Sequence, residues 1–265
     1  MAQRPITAAR TILTGASSGI GRELALELAR GGARVIVTAR REDRLQELLE
    51  AMRKENPQGE FDALPGDITK SALRARLVQE AEQRWGGLDL LINNAGAGAL
   101  GPFADADEAR LRWVMEVNFF APAELTREAL PLLRKGARPM VVNFGSVLGH
   151  RAVPQKSEYS AAKFALHGLS DALRTEFHAL GIDVLLVSPS TTRTEFFDSA
   201  QGENASEARR AAASGVSPQT VARQTIRAIR RGRREIILTF GGKMLVWLDR
   251  LCPWLMDRVL MRWAK

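Results

Sequence analysis

One tyrosine, one cysteine and three histidines occur in the 265 residues, and aromatic side chains make up only 6% of the chain. A lone cysteine, Cys252, excludes an intrachain disulfide and points to a reducing compartment. The histidines and the cysteine show no zinc-motif spacing, so no metal is expected. Nowhere do about eighteen apolar residues run together, and Met1 to Arg10 has no apolar stretch of signal-peptide length. These absences predict a protein kept in the cytoplasm. No internal repeat and no Pro-, Gly- or Ser-rich linker divides the chain, so one domain is expected over 1–265.

What is present is ordinary for a globular protein: 45% hydrophobic and 26% charged residues. The net charge of +8 is less ordinary, but much of the excess lies between Arg209 and Arg234. Without accompanying aromatic or zinc motifs, that run reads as a solvated helix face and no nucleic-acid partner is expected.

The hydropathy pattern alternates. Apolar, β-branched runs at 11–14, 35–38, 60–64, 90–92, 139–144, 184–187 and 235–239 read as strands. Between them, apolar residues at helical spacing predict helices over about 41–55, 69–85, 107–133, 157–180 and 217–231, with Ser217-Pro218 as cap and first-turn proline. Ser157 is placed at the cap of the helix that follows it. Sustained β–α alternation predicts a doubly wound parallel sheet of Rossmann type. Residues 190–215 lack periodicity and read as a substrate flap. The tail, 243–265, holds three tryptophans, many leucines and several arginines, interrupted by Pro253. It is expected to pack against protein, in this chain or in a homodimer or homotetramer, with peripheral membrane contact as the alternative.

The first strand runs straight into Thr14-Gly15-Ala16-Ser17-Ser18-Gly19-Ile20-Gly21. Glycines there let backbone amides approach a pyrophosphate, and the helix N-terminus beyond adds unpaired N–H groups and a positive dipole end. The second strand ends in Arg40 and Arg41, where an NAD-binding chain would carry an acid for the ribose hydroxyls. Arginine there suits a 2′-phosphate, which predicts NADP(H) over NAD(H). Asp67-Ile68 and Asn93-Asn94-Ala95-Gly96 follow the third and fourth strands, suited to adenine contact and to a turn passing close beneath a ligand. Tyr159 and Lys163 are one helical turn apart, so a phenol and an ammonium share a face. A neighbouring positive charge would lower the tyrosine's pKa toward proton exchange at neutral pH.

Together these stretches resemble the short-chain dehydrogenase/reductase family. The resemblance rests on Thr14 to Gly21, Asn93 to Gly96 and Tyr159 to Lys163, in that order, and covers most of the chain. It implies that Tyr159 exchanges a proton with a substrate carbonyl or alcohol, that Lys163 tunes the phenol and holds the nicotinamide ribose, and that Ser146 donates to the carbonyl oxygen. It further implies that Asn118 helps hold a water in a proton path ending at Lys163. Thr192 and Thr194 fall where the family contacts the cofactor, after Pro189; the family's usual glycine is Ser190 here. The tail is similar to that of hydroxysteroid-type and other lipid-directed members, which implies an apolar substrate. A nucleotide-binding regulator or scaffold of the same fold, without turnover, is the alternative.

Overall fold

The computed structural model describes residues 3–198, 201–202 and 214–263. Its centre is a seven-stranded sheet in the order β3-β2-β1-β4-β6-β7-β9, with every neighbouring pair parallel. The strands are β1 (Arg10–Thr14), β2 (Arg34–Thr38), β3 (Phe61–Ala63), β4 (Leu90–Asn93), β6 (Met140–Phe144), β7 (Asp183–Ser188) and β9 (Glu235–Ile237). A two-stranded ribbon joins β5 (Ala99–Leu100) to β8 (Gln201–Gly202). Chain order reverses direction between β1 and β4, the switch point where such sheets open a crevice.

Side chains alternate across the strands, so each strand feeds two cores. Leu13, Val35, Val37, Leu90, Ile92 and Val142 join α1 (Gly19–Arg30), α2 (Glu42–Glu55) and α7 (Pro218–Arg230) on one face. Their neighbours Ile12, Ile36, Leu91 and Val141 join α3 (Ser71–Trp85) and α5 (Ala121–Leu133) on the other. Burial on both faces explains why the strands read as apolar runs rather than alternating ones. Each fully buried Leu or Ile contributes about 1.5–3 kcal/mol, enough to fix the strand order on which the site depends.

Local chemistry sets the helix boundaries. Ser217 caps α7, its hydroxyl accepting from the Thr220 N–H at 3.2 Å, and Asp107 caps α4 (Glu108–Met115) by accepting from the Arg110 N–H at 2.8 Å. The helix expected to run unbroken over 107–133 is instead α4, a π turn over Glu116–Phe120, and α5. Ser157 is the first residue of α6 (Ser157–Glu176) rather than its cap, a place taken by Lys156, whose side chain does not cap the helix. Beyond α6 a 3-10 turn over Phe177–Leu180 closes on Gly181 at φ 68°.

Residues 199–200 and 203–213 of the flap, and 264–265 of the tail, lie outside the described residues. The flap does carry structure that the pattern did not predict: a 3-10 turn over Glu195–Asp198, strand β8, and a bridge between Thr192 and Val216. Ser190 lies outside the left-handed region, which among the described non-glycine residues holds only Ala8, Arg138 and Gln155, so the missing glycine leaves no strain there. The tail forms α8 (Phe240–Leu251) and α9 (Pro253–Trp263), broken before Pro253. Val246 and Met256 are buried, and Arg151 pairs with Asp249 and Asp257 to tie both helices down.

Candidate active site

A cavity of about 570 Å³ opens at the carboxyl ends of the strands, beside the switch point. Its floor is the turn after β1. Gly15 and Gly19 take φ of +69° and +55°, and a Cβ on Gly21 would lie 2.2 Å from the Gly15 carbonyl oxygen. These positions require glycine. Ser18 precedes α1 without capping it, and the first turn carries no acid. The free N–H groups at that helix end therefore belong to the cavity wall, an anion cradle of the kind a pyrophosphate fills.

A latch holds the cradle to the next strand. Thr14 Oγ1 accepts from the backbone N–H of Asn94 and Ala95 at 3.1 and 3.0 Å. The Asn94 side-chain amide donates to the carbonyls of Thr14 and Gly15 at 2.9 and 3.0 Å. Asn94 thus lines the cavity while its NH₂ group fixes the glycine turn. Asn93 points away into a buried chain, donating to Asn143 Oδ1 at 2.9 Å and Thr126 Oγ1 at 3.1 Å, with Asn143 donating in turn to Ser170. Nothing in the spacing of those residues announced that network.

At the far edge, Arg40 and Arg41 are both exposed and both line the cavity. Arg41 bends back over the cradle, donating to Ser17 Oγ at 3.1 Å and pairing with Glu195 of the flap at 2.9 Å. Asp67 is exposed, and its carboxylate accepts from the Thr69 N–H at 3.0 Å; Ile68 is buried beside it.

The other end is built on α6 and the turn after β6. Ser146 Oγ accepts from the Leu148 N–H at 3.1 Å and is hydrogen-bonded to the Tyr159 hydroxyl. One turn beyond Tyr159, Lys163 donates to the Phe144 carbonyl at 2.7 Å, with its Nζ 5.7 Å from the tyrosine ring centroid. Burial governs both titrations. It pushes the phenol up to about 12 despite the Ser146 bond and the Lys163 ammonium down to about 7. The lowering of the tyrosine expected from its cationic neighbour does not occur: burial raises the phenol, and only the Ser146 bond acts against it.

Gly96 lets this end close up. A Cβ there would stand 3.1 Å from Asn118 Oδ1 and 3.8 Å from Lys163 Nζ. Asn118 lies behind it, fully buried in the π turn and outside the cavity lining. Its amide donates to the Ala97 and Val114 carbonyls at 2.8 and 2.9 Å, and its oxygen accepts from the Ala97 N–H at 3.2 Å. Insertion of the π turn sets that orientation, as such turns commonly do at sites. Pro189, Thr192 and Thr194 all reach the cavity.

Above Tyr159 the wall is apolar, formed by Leu100, Trp113, Val117, Leu148 and Phe196, whose ring meets that of Tyr159 at 5.7 Å. Lys156 is the cation on this wall, its ammonium disfavoured by burial. A buried ion pair braces the wall from behind. Arg110 donates to Glu158 at 2.9 Å, joining α4 to the turn of α6 that carries Tyr159. The periodicity did not distinguish these wall residues from core, since both are apolar.

An α/β sheet with a pyrophosphate cradle at its switch point, and a phenol, a hydroxyl and an amine at the other end of one cavity, defines a dinucleotide-binding oxidoreductase. The chain belongs to the short chain dehydrogenase family, whose model matches residues 9–205. It is 31% identical over 257 residues to dehydrogenase/reductase SDR family member 7B of Danio rerio, covering 94% of this chain and 83% of that one. It is 30% identical to the ketoacyl reductase HetN of a Nostoc strain, covering 97% and 90%. A Burkholderia phymatum short chain dehydrogenase/reductase, solved in complex with NAD, superposes with a TM-score of 0.89 at 25% identity over 96% of both chains.

Proposed function

We propose that the chain is an NADP(H)-dependent oxidoreductase acting on a carbonyl or alcohol of an apolar small molecule, with Tyr159 as the proton-transfer residue. The observation that carries the reading is the placement of the Tyr159 hydroxyl, bonded to Ser146, between the apolar wall and the Lys163 end of the cradle. When bound, the nicotinamide supplies or accepts the hydride. The chain's own task is then to orient the carbonyl and manage one proton. Ser146 and Tyr159 offer two hydroxyl donors to a carbonyl oxygen, which stabilises the negative charge that develops on it. Held up at about 12, the phenol keeps its proton throughout the neutral range, the state a general acid needs in the reducing direction. In reverse, charge on Lys163 would favour the phenolate, and its titration near 7 makes that charge responsive around neutral pH. Asn118, with its amide held by backbone, acts as a positioning residue for the Gly96 turn and the Lys163 end.

For the cofactor, support comes from the arginine pair that follows β2, in place of an acid at that strand's end. The NAD bound to the Burkholderia relative leaves the choice to experiment. HetN's description as a ketoacyl reductase supports a carbonyl substrate for this chain. We assign the tail to a subunit contact in a homodimer or homotetramer. Trp247, Leu251 and Trp254 are exposed on it at 59%, 72% and 59%, more apolar surface than a monomer normally leaves in water.

The test is NADPH oxidation by purified protein against a panel of ketones and aldehydes. Tyr159→Phe should retain cofactor binding and lose turnover by at least about a hundredfold. Undiminished turnover in that variant would remove Tyr159 from the proton step.

A further inference from the structure

Two of the three histidines in the chain meet outside the lining of the main cavity. His150 closes the turn that begins at Ser146, and His167 lies on α6 one turn beyond Lys163. Their rings stand 4.3 Å apart, centroid to centroid, at 65°. Glu235, the first residue of β9, completes the group. One nitrogen from each imidazole and one Glu235 oxygen lie within 4.8 Å of one another.

Hydrogen bonding within the protein leaves part of this cluster unsatisfied. The His150 side chain is 3% exposed and its Nδ1 has no partner. Its Nε2 is shared between Ser188 Oγ at 3.0 Å and Glu235 Oε1 at 3.1 Å. His167 Nδ1 faces the Gly149 carbonyl at 3.1 Å. A carbonyl only accepts, so Nδ1 carries the hydrogen. Nε2 then faces Asp171 Oδ2 at 3.5 Å, a contact that either a proton or a metal ion on that nitrogen satisfies. An imidazole that donates one N–H to a backbone carbonyl and leaves the other nitrogen free is also the usual form of a metal ligand.

We propose that His150, His167 and Glu235 bind a divalent transition cation, of which Zn²⁺ is the representative, with Asp171 at the rim. Imidazole nitrogens with carboxylate oxygens suit zinc, cobalt, nickel or copper better than magnesium or calcium, which prefer oxygen alone. Ligands about 2.0–2.1 Å from a tetrahedral metal lie about 3.4 Å from one another, so rotations of the three side chains close the remaining gap. A cavity of about 280 Å³, lined by both histidines, Asp171 and Arg250, gives room for a water as a further ligand. Arg250 and Arg174, the latter bonded to Asp171 at 2.6 Å, oppose a cation, and the two carboxylates balance them. The site is independent of the cofactor reading. Its effect would be mechanical: the cation joins the turn carrying Ser146, the helix carrying Tyr159 and Lys163, and the strand β9. The three ligands are far apart in sequence, which is why no zinc spacing announced them.

Full-length protein stripped with EDTA should take up one Zn²⁺ per chain at micromolar concentration in equilibrium dialysis. With Co²⁺ it should show the visible ligand-field bands of a nitrogen and oxygen site, and Zn²⁺ should raise the unfolding temperature. His167→Gln and Glu235→Gln, at partly exposed positions that need not disturb folding, should each weaken Zn²⁺ binding by at least about tenfold. His178→Gln, at the exposed third histidine, and Cys252→Ser should leave it unchanged. The proposal is overturned by absence of Zn²⁺ uptake, by equal affinity in the wild type and His167→Gln, or by binding lost in Cys252→Ser.

Discussion

Lys163 should make the protein less stable than it would be without it. A lysine that titrates at 10.5 in the unfolded chain and at about 7 when folded resists protonation in the folded state. At pH 7 the linked difference amounts to about 4 kcal/mol against folding. The sign follows from proton counting: between pH 7 and 10.5 the unfolded chain binds the extra proton, so stability rises with pH and the penalty fades to about 2 kcal/mol by pH 9. Below pH 7 both states are charged and the penalty is constant. Replacing Lys163 with Met removes it but leaves the Phe144 carbonyl without its 2.7 Å donor, a loss of about 1–3 kcal/mol. Lys163→Met should therefore be more stable than the wild type at pH 7 by about 1–3 kcal/mol, measured by urea unfolding, while turnover collapses. At pH 9 the advantage should shrink by about 2 kcal/mol. A variant less stable than wild type at pH 7, with an unchanged difference at pH 9, would refute the claim that burial holds this lysine down.

Other expectations follow from particular contacts. Arg40→Ala should weaken NADPH by about 10- to 100-fold, the worth of a charge-assisted bond to phosphate, and leave NADH nearly unchanged in fluorescence titration; equal losses would mean that the end of β2 does not read the 2′-phosphate. Glu158→Leu should destabilise the protein by about 3–5 kcal/mol because it leaves the buried Arg110 without its counter-charge. Most of that loss should return in Arg110→Met/Glu158→Leu, and a single variant costing under about 1 kcal/mol would show the pair to be unimportant. Trp247→Glu/Leu251→Glu should reduce the mass seen by light scattering without changing liposome flotation. The opposite outcome, unchanged mass with lost flotation, would assign the tail to membrane.

Much of the site was legible because it is local. Gly15, Gly19 and Gly21 report a backbone need that only their own turn imposes, and Tyr159 and Lys163 share a face through helix geometry alone. The order of strands and helices followed likewise from runs of apolar residues buried on both sides of a sheet. The interruption at Asn118 was not legible, since a π turn is decided by what α4 and α5 pack against. The Arg41–Glu195 contact and the β5–β8 ribbon depend on flap residues more than a hundred positions away from their partners.

The sequence alone thus determined the fold class, the glycine turn after β1 and the shared helix face of Tyr159 and Lys163, because each rests on spacing within one element or one turn. Tertiary structure decided how those groups behave. It raised the phenol and lowered the ammonium by removing water, turned Asn118 inward onto backbone, and brought His150, His167 and Glu235 together from a turn, a helix and a strand. Burial and long-range contact are properties of the packed chain, and no local pattern encodes them.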